Sequence, residues 1–263
     1  LLLRLASLCF YQEIDEMKFC LQFVSVCLLS LCSLSTAQAD LIAYWNFNND
    51  PLPGGGFGYQ PGDFPLAAND GVGSGSLTVG GGLTGDTIVN ANGDTVYQWV
   101  PSFAGTTINA LGADPAGGTL SLQGGTGNGN NGAFVQFAFN MSGYQDLVVS
   151  YASQRTASGF NSQAWSWSTD GSTFTPFETV TPPAIATTFA ATGVITLGSI
   201  AALDNTPTAF LRVTLDGATG QTGNNRFDNI QFNAQAIPEP SSLSLLAMGL
   251  VGVSIRRRGM FSA

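Results

Sequence analysis

Histidine is absent from all 263 residues, and that absence removes whole classes of chemistry. Ser-His-Asp and Cys-His nucleophile systems need an imidazole to take and return a proton, so neither exists here in its usual form. Zinc sites of the common His/Cys kinds fall with them. Cysteine is almost as restrictive. All four (Cys9, Cys20, Cys27 and Cys32) precede residue 39, so no disulfide can hold the rest of the chain. Cations are scarce too. Between residues 40 and 236, thirteen carboxylates face only Arg155, Arg212 and Arg226, a net charge of −10. Three scattered arginines cannot build the basic stripe that nucleic-acid binding needs, which excludes that partner. Charged residues are 10% of the chain and hydrophobic ones 44%, the composition of a chain with a core.

The N-terminal region reads as processing signal. Residues 1–16 carry Glu13, Asp15 and Glu16 without an initiator methionine, and we read them as an over-extended gene start. Met17 and Lys18 open a better export signal over residues 17–39, with an apolar run from Phe19 to Leu34 expected as a signal helix. Ala37-Gln38-Ala39 is the small-x-small pattern of a signal-peptidase site, and it makes Asp40 the new N-terminus. Lipidation is disfavoured. It asks for a small residue before the cysteine, whereas Leu31 precedes Cys32 and Val26 precedes Cys27.

No helical period appears from residue 40 to 236. Short alternating runs separated by turn residues predict an all-β, jelly-roll-like sandwich of eight to ten strands over residues 40–236. Leu41–Phe47 is the first, mostly apolar and expected to be buried on both faces. Leu77–Val79, Thr87–Val89, Val96–Val100 and Thr119–Leu122 are short candidates within a Gly-rich first half. Ala133–Asn140, Asp146–Ala152, Ala164–Ser168, Thr187–Leu197, Ala209–Leu215 and Phe227–Asn233 alternate more clearly. Asp170-Gly171 between two of these runs is a strong local hairpin signal. Gly124–Gly132 is expected as a flexible turn. No helix follows it to offer an anion a row of free N–H groups, so it is not a phosphate cradle.

Three residue sets carry candidate chemistry. Trp165 and Trp167 share a strand face, where they make either a platform for stacking sugars or part of the core, and core is the commoner fate of such rings. Trp99, Tyr144 and Tyr151 belong to the same set. Asp216, Asn224, Asn225, Asp228 and Asn229 offer oxygen ligands in a Gly-rich setting that suits a structural Ca²⁺, although Asx side chains also cap turns. Arg155 and Arg226 are expected in ion pairs with Asp170 or Asp228, with a ligand clamp as the alternative. No spacing singles out a carboxylate pair of the glycosidase kind, so no catalytic residue is assigned.

The chain closes, over residues 237–263, on a tripartite tail. Pro238-Glu239-Pro240 is followed by an apolar segment, residues 241–255, and by the basic cluster Arg256, Arg257 and Arg258. As a short hydrophobic helix those fifteen apolar residues span about 22 Å at ~1.5 Å per residue. A hydrocarbon core is roughly 30 Å thick, so the span is thin, and the arginines would stay cytoplasmic. This tail resembles the PEP-CTERM sorting signal of Gram-negative bacteria. The resemblance implies recognition by an exosortase, a membrane-bound protease or transpeptidase, near Pro238-Glu239-Pro240. It also implies a membrane-associated stage, then the cell surface or extracellular matrix, often alongside exopolysaccharide.

The body is similar, over Ser150–Phe160, Trp165–Phe174 and Arg212–Phe232, to the jelly-roll domains that accompany such tails. Carbohydrate-binding modules share that fold, but a fold is not a function. The expectation is an exported, non-enzymatic surface or matrix protein that binds glycans or structures matrix, with a secreted polysaccharide hydrolase as the alternative.

Overall fold

Period-two runs fold as the strands they predict. The computed structural model describes residues 39–48 and 58–238. The expected signal helix and the apolar helix of the tail lie outside the described residues. Among the described residues no helix is long and apolar enough to cross a membrane.

The strands are β1 (Ala39–Trp45), β2 (Leu66–Ala67), β3 (Ser76–Gly80), β4 (Thr87–Val89), β5 (Thr95–Tyr97), β6 (Leu120–Gln123), β7 (Phe134–Phe139), β8 (Tyr144–Arg155), β9 (Ser162–Ser168), β10 (Thr175–Val180), β11 (Ala190–Thr196), β12 (Ala209–Asp216) and β13 (Asn224–Ala236). A five-stranded sheet runs β1-β13-β8-β11, with β6 also paired to β13. A six-stranded sheet runs β10-β9-β12-β7-β3-β2, and β4 and β5 form a separate ribbon. Thirteen strands exceed the eight to ten expected, because elements as short as the two-residue β2 leave no alternation to read. From β7 onward the chain crosses between the sheets at every step except the β9–β10 hairpin, a jelly-roll-like path.

The core lies between the two sheets. Phe137 of β7 meets Phe232 of β13 at 5.1 Å and Trp45 of β1 at 5.2 Å between ring centroids. Trp165 of β9 meets Tyr151 of β8 at 5.5 Å. Val135, Leu211, Val213 and Leu215 line one wall and Leu147, Val149, Phe227 and Ile230 the other, all buried. Each such side chain contributes about 1.5–3 kcal/mol on burial, which is why disulfides are dispensable.

Two departures from plain sheet geometry shape the outer side of the five-stranded sheet. The β13 register slips between Asp228 and Gln231, and Asn229 there has φ 48. That bulge lets Phe227 and Ile230, three apart, both face the core. β1 is buried on both faces from Ile42 onward, as its apolar run predicts. Its outer face, with Tyr44, lies under the segment between β5 and β6. Its free edge bonds to residues 69–73, for instance Tyr44 N to Asp70 O at 2.9 Å.

Candidate functional site

The tryptophans are not a platform. Trp165 is 1% exposed and stacks on Phe137 at 6.1 Å, so no sugar can reach it. Trp167 is partly buried against the same core, as is Tyr144. Tyr151 is buried, its hydroxyl donating to Gln163 Oε1 at 2.6 Å. Trp99 is buried and donates to Asp86 Oδ2 at 3.0 Å. Local alternation placed Trp165 on a face, and only the second sheet makes that face the interior.

The candidate calcium ligands do not converge. Asp216 is exposed at the end of β12 in the six-stranded sheet, whereas Asn224, Asn225 and Asp228 sit on β13 in the other. Asn225 is buried with neither side-chain polar atom bonded. By strand alternation it shares the inward side with Phe227, while Asp228 points outward. Among the described residues no three acidic or Cys side chains gather to hold a metal.

Asp228 and Asn229 have a different task, which is to fasten the long segment between β5 and β6 across the sheet. Asp228 Oδ2 accepts from Thr106 N at 2.7 Å and its Oδ1 from Asn229 N at 2.8 Å. Asn229 Nδ2 donates to Thr106 O at 2.7 Å and Ile108 O at 2.9 Å, and its Oδ1 accepts from the Tyr44 hydroxyl at 2.8 Å. Burial pushes the Asp228 carboxyl up to about 8, against the two N–H donors that pull it down. Burial likewise pushes the Tyr44 phenol up to about 12, which keeps it a donor.

The ion pairs expected of Arg155 and Arg226 do not form among the described residues, where Arg212 too pairs with no carboxylate. Arg155 donates to the backbone carbonyls of Ile185, Thr156 and Ala157 at 3.2–3.3 Å. Arg226 lies over the Phe103 ring at 4.3 Å and donates to Asn224 Oδ1 at 3.3 Å. Asp170, the other expected partner, is occupied by its own turn. Its Oδ1 accepts from Ser172 N and Thr173 N at 2.8 Å, and those bonds hold it down at about 2.

Arg212 is the most elaborately held side chain on the surface, and sequence reasoning passed over it. It sits mid-strand on the outer side of the six-stranded sheet, in a row of residues that runs Pro176, Ser166, Arg212, Gln136, Thr78 across five strands. Its guanidinium lies 3.7 Å from the Phe174 ring centroid and 4.2 Å from that of Phe134. Gln136 Oε1 accepts from Nε at 3.1 Å and from Nη2 at 2.6 Å. Phe134 can lie against the sheet because its cross-strand partner is Gly80, where a Cβ would collide with the ring. The neighbours are small: Ala138, Ala164, Thr78 and Thr214. A usable signal existed, since alternation in Ala209–Leu215 makes Arg212 the single charge on that run's outer positions.

These features define an all-β sandwich with an open sheet face that carries a fixed cation, in a chain whose body ends where a sorting motif begins. Residues 236–258 match the PEP-CTERM protein-sorting motif, the mark of an exported protein with an exosortase-sorted, membrane-anchored tail. No curated protein matches the chain in sequence.

Among solved structures the chain is similar to the K2 cleaved adhesin domain of Lys-gingipain, with 13% identity, 72% of this chain and 97% of that one covered, and a TM-score of 0.41. It is also similar to TmCBM61 in complex with β-1,4-galactotriose, with 9% identity, 59% and 86% covered, and a TM-score of 0.33. CBM35 of Cellvibrio japonicus aligns with 15% identity, 49% and 82% covered, and a TM-score of 0.31. Likenesses this loose transfer no ligand and no site.

Proposed function

We propose that this is a non-catalytic, exported protein whose body binds glycans or structures the matrix at the cell surface. On this reading residues 17–39 direct export, Asp40 opens the mature chain, and an exosortase acts near Pro238-Glu239-Pro240. The basic cluster Arg256–Arg258 holds the tail until then.

The junction between body and tail carries the reading. β13 runs to Ala236, the residue at which the sorting motif begins, and Ile237 N still donates to Gly143 O at 2.8 Å. Pro238 follows at once, so a cut at or after it leaves the last strand whole. The non-catalytic half is supported by Asp228. The carboxyl that burial lifts toward neutrality, the usual mark of a general acid, is sealed beneath its loop with both oxygens occupied.

Intact-mass measurement on protein recovered from the host tests the proposal. The expected species begins at Asp40 and ends near Pro238–Pro240. Replacing Arg256–Arg258 with glutamine should leave the uncut form in the membrane fraction. A wild-type mass that retains Arg256–Arg258 would reduce the tail to a plain anchor. Release of sugar from a polysaccharide by the purified protein would overturn the non-catalytic half.

A further inference from the structure

We propose that the outer face of the six-stranded sheet, centred on Arg212, binds the carboxylate of an acidic sugar in a polysaccharide. The proposal rests on the glycan-binding reading above and gives it a site and a ligand class.

The argument starts from which donors of Arg212 are used. Nε and Nη2 both point at Gln136 Oε1, so the side-on pair of N–H groups is filled. Nη1 has no hydrogen-bond partner among the described residues, and with the second hydrogen of Nη2 it makes an open end-on fork. A guanidinium fork matches a carboxylate bidentately, a geometry that lysine cannot reproduce. The rings of Phe134 and Phe174 pack on the guanidinium, hold it in place and strip water from it. What remains is a partly desolvated, pre-oriented cation with no counter-ion among the described residues.

Its described neighbours do not supply one. The next acid on the same side of β12 is Asp216, four residues along and about 13 Å away at ~3.3 Å per residue. Glu178 on β10 is exposed and makes no ion pair with Arg212. Asp170, in the turn that carries Phe174, spends its Oδ1 on the amides of Ser172 and Thr173. An anion therefore meets local attraction on an otherwise acidic molecule.

The shape of the face favours a saccharide. Arg212 stands on β12, an internal strand between β9 and β7, so no unpaired backbone edge adjoins it on which a peptide could add a strand. Thr78, Thr214 and Ser76 bring hydroxyls to the outer side, and the Phe174 and Phe210 rings are partly exposed beside the cation. Hydroxyls for sugar hydroxyls, rings for the apolar sugar faces and a fork for the carboxylate form one consistent set.

The test measures binding of the mature protein to polygalacturonate, to the same polymer with its carboxyls reduced to alcohols, and to poly-glutamate. Saturable binding to polygalacturonate, at least tenfold weaker for the reduced polymer and for poly-glutamate, is the expected pattern. Arg212→Gln should cost at least tenfold, and Arg212→Lys should recover only part of it. Phe174→Ala, a change at the surface, should weaken binding without altering the unfolding midpoint by more than a few degrees, which keeps the site testable if Arg212→Gln folds poorly. Equal binding of the reduced polymer would overturn the carboxylate and leave glycan binding standing. Undiminished binding by the Arg212 and Phe174 variants would overturn the site alone. Equal affinity for poly-glutamate would overturn the saccharide. Failure to bind this or any other glycan would remove the glycan-binding reading itself.

Discussion

Asp228 shows how much one side chain can settle. Its carboxyl ties the segment between β5 and β6 to the outer side of β13, at the cost of carrying a titratable group out of water. The folded-state value of about 8 stands far above the unfolded one, about 3.9. From about pH 4 to 8 the unfolded chain has therefore released a proton that the folded protein keeps. The contribution of this group to stability is whole below about pH 4, falls as pH rises, and is gone above about 8. At most the slope is about 1.4 kcal/mol per pH unit. Urea unfolding at a series of pH values should show a decline in that window for the wild type and a flatter line for Asp228→Asn.

None of this was legible beforehand. Thr106 lies 122 positions from Asp228, and nothing local to Asn224–Asn229 distinguishes a metal ligand from a loop fastener. Arg212 was more accessible, since its place on the outer side follows from alternation alone. Its two rings and Gln136 required the strand order.

At the scale of elements the reading was largely sound, because period-two alternation is a local property that a half-buried sheet enforces. The β9–β10 pair is instructive. Asp170-Gly171 did mark a turn, but the connection runs six residues and only Gly171, at φ 72, takes the left-handed conformation. The turn is organised by Asp170, whose carboxylate collects the amides of Ser172 and Thr173. Those bonds favour the ion, so the stabilisation is present above the unfolded value of about 3.9 and is lost as pH falls through about 2. An NMR titration should place the Asp170 midpoint near 2. In Asp170→Ala the amide protons of Ser172 and Thr173 should exchange with solvent much faster. What alternation missed were elements too short to alternate, such as β2, and the bulge at Asn229 that shifts β13 by a position.

For the whole molecule, the core explains why the sandwich body needs no cross-links. Residues 40–237 contain no cysteine, and the rings of Trp45, Phe137, Tyr151, Trp165 and Phe232 join the two sheets instead. A protein cut to residues 40–237 should unfold in one cooperative transition, with the same midpoint in the presence and absence of dithiothreitol. Strand order was out of reach from sequence. β13 sits between β1 and β8, an arrangement fixed by contacts some two hundred residues apart.

That placement of β13 also fixes where the chain enters and leaves the body. Asp40 is paired with Ala234 on neighbouring antiparallel strands about 4.8 Å apart, so the first residues of β1 and the last of β13 lie at the same end of the sheet. A cut after Ala39 would remove one pair, Ala39 with Gln235, and leave the rest of the β1–β13 ladder whole.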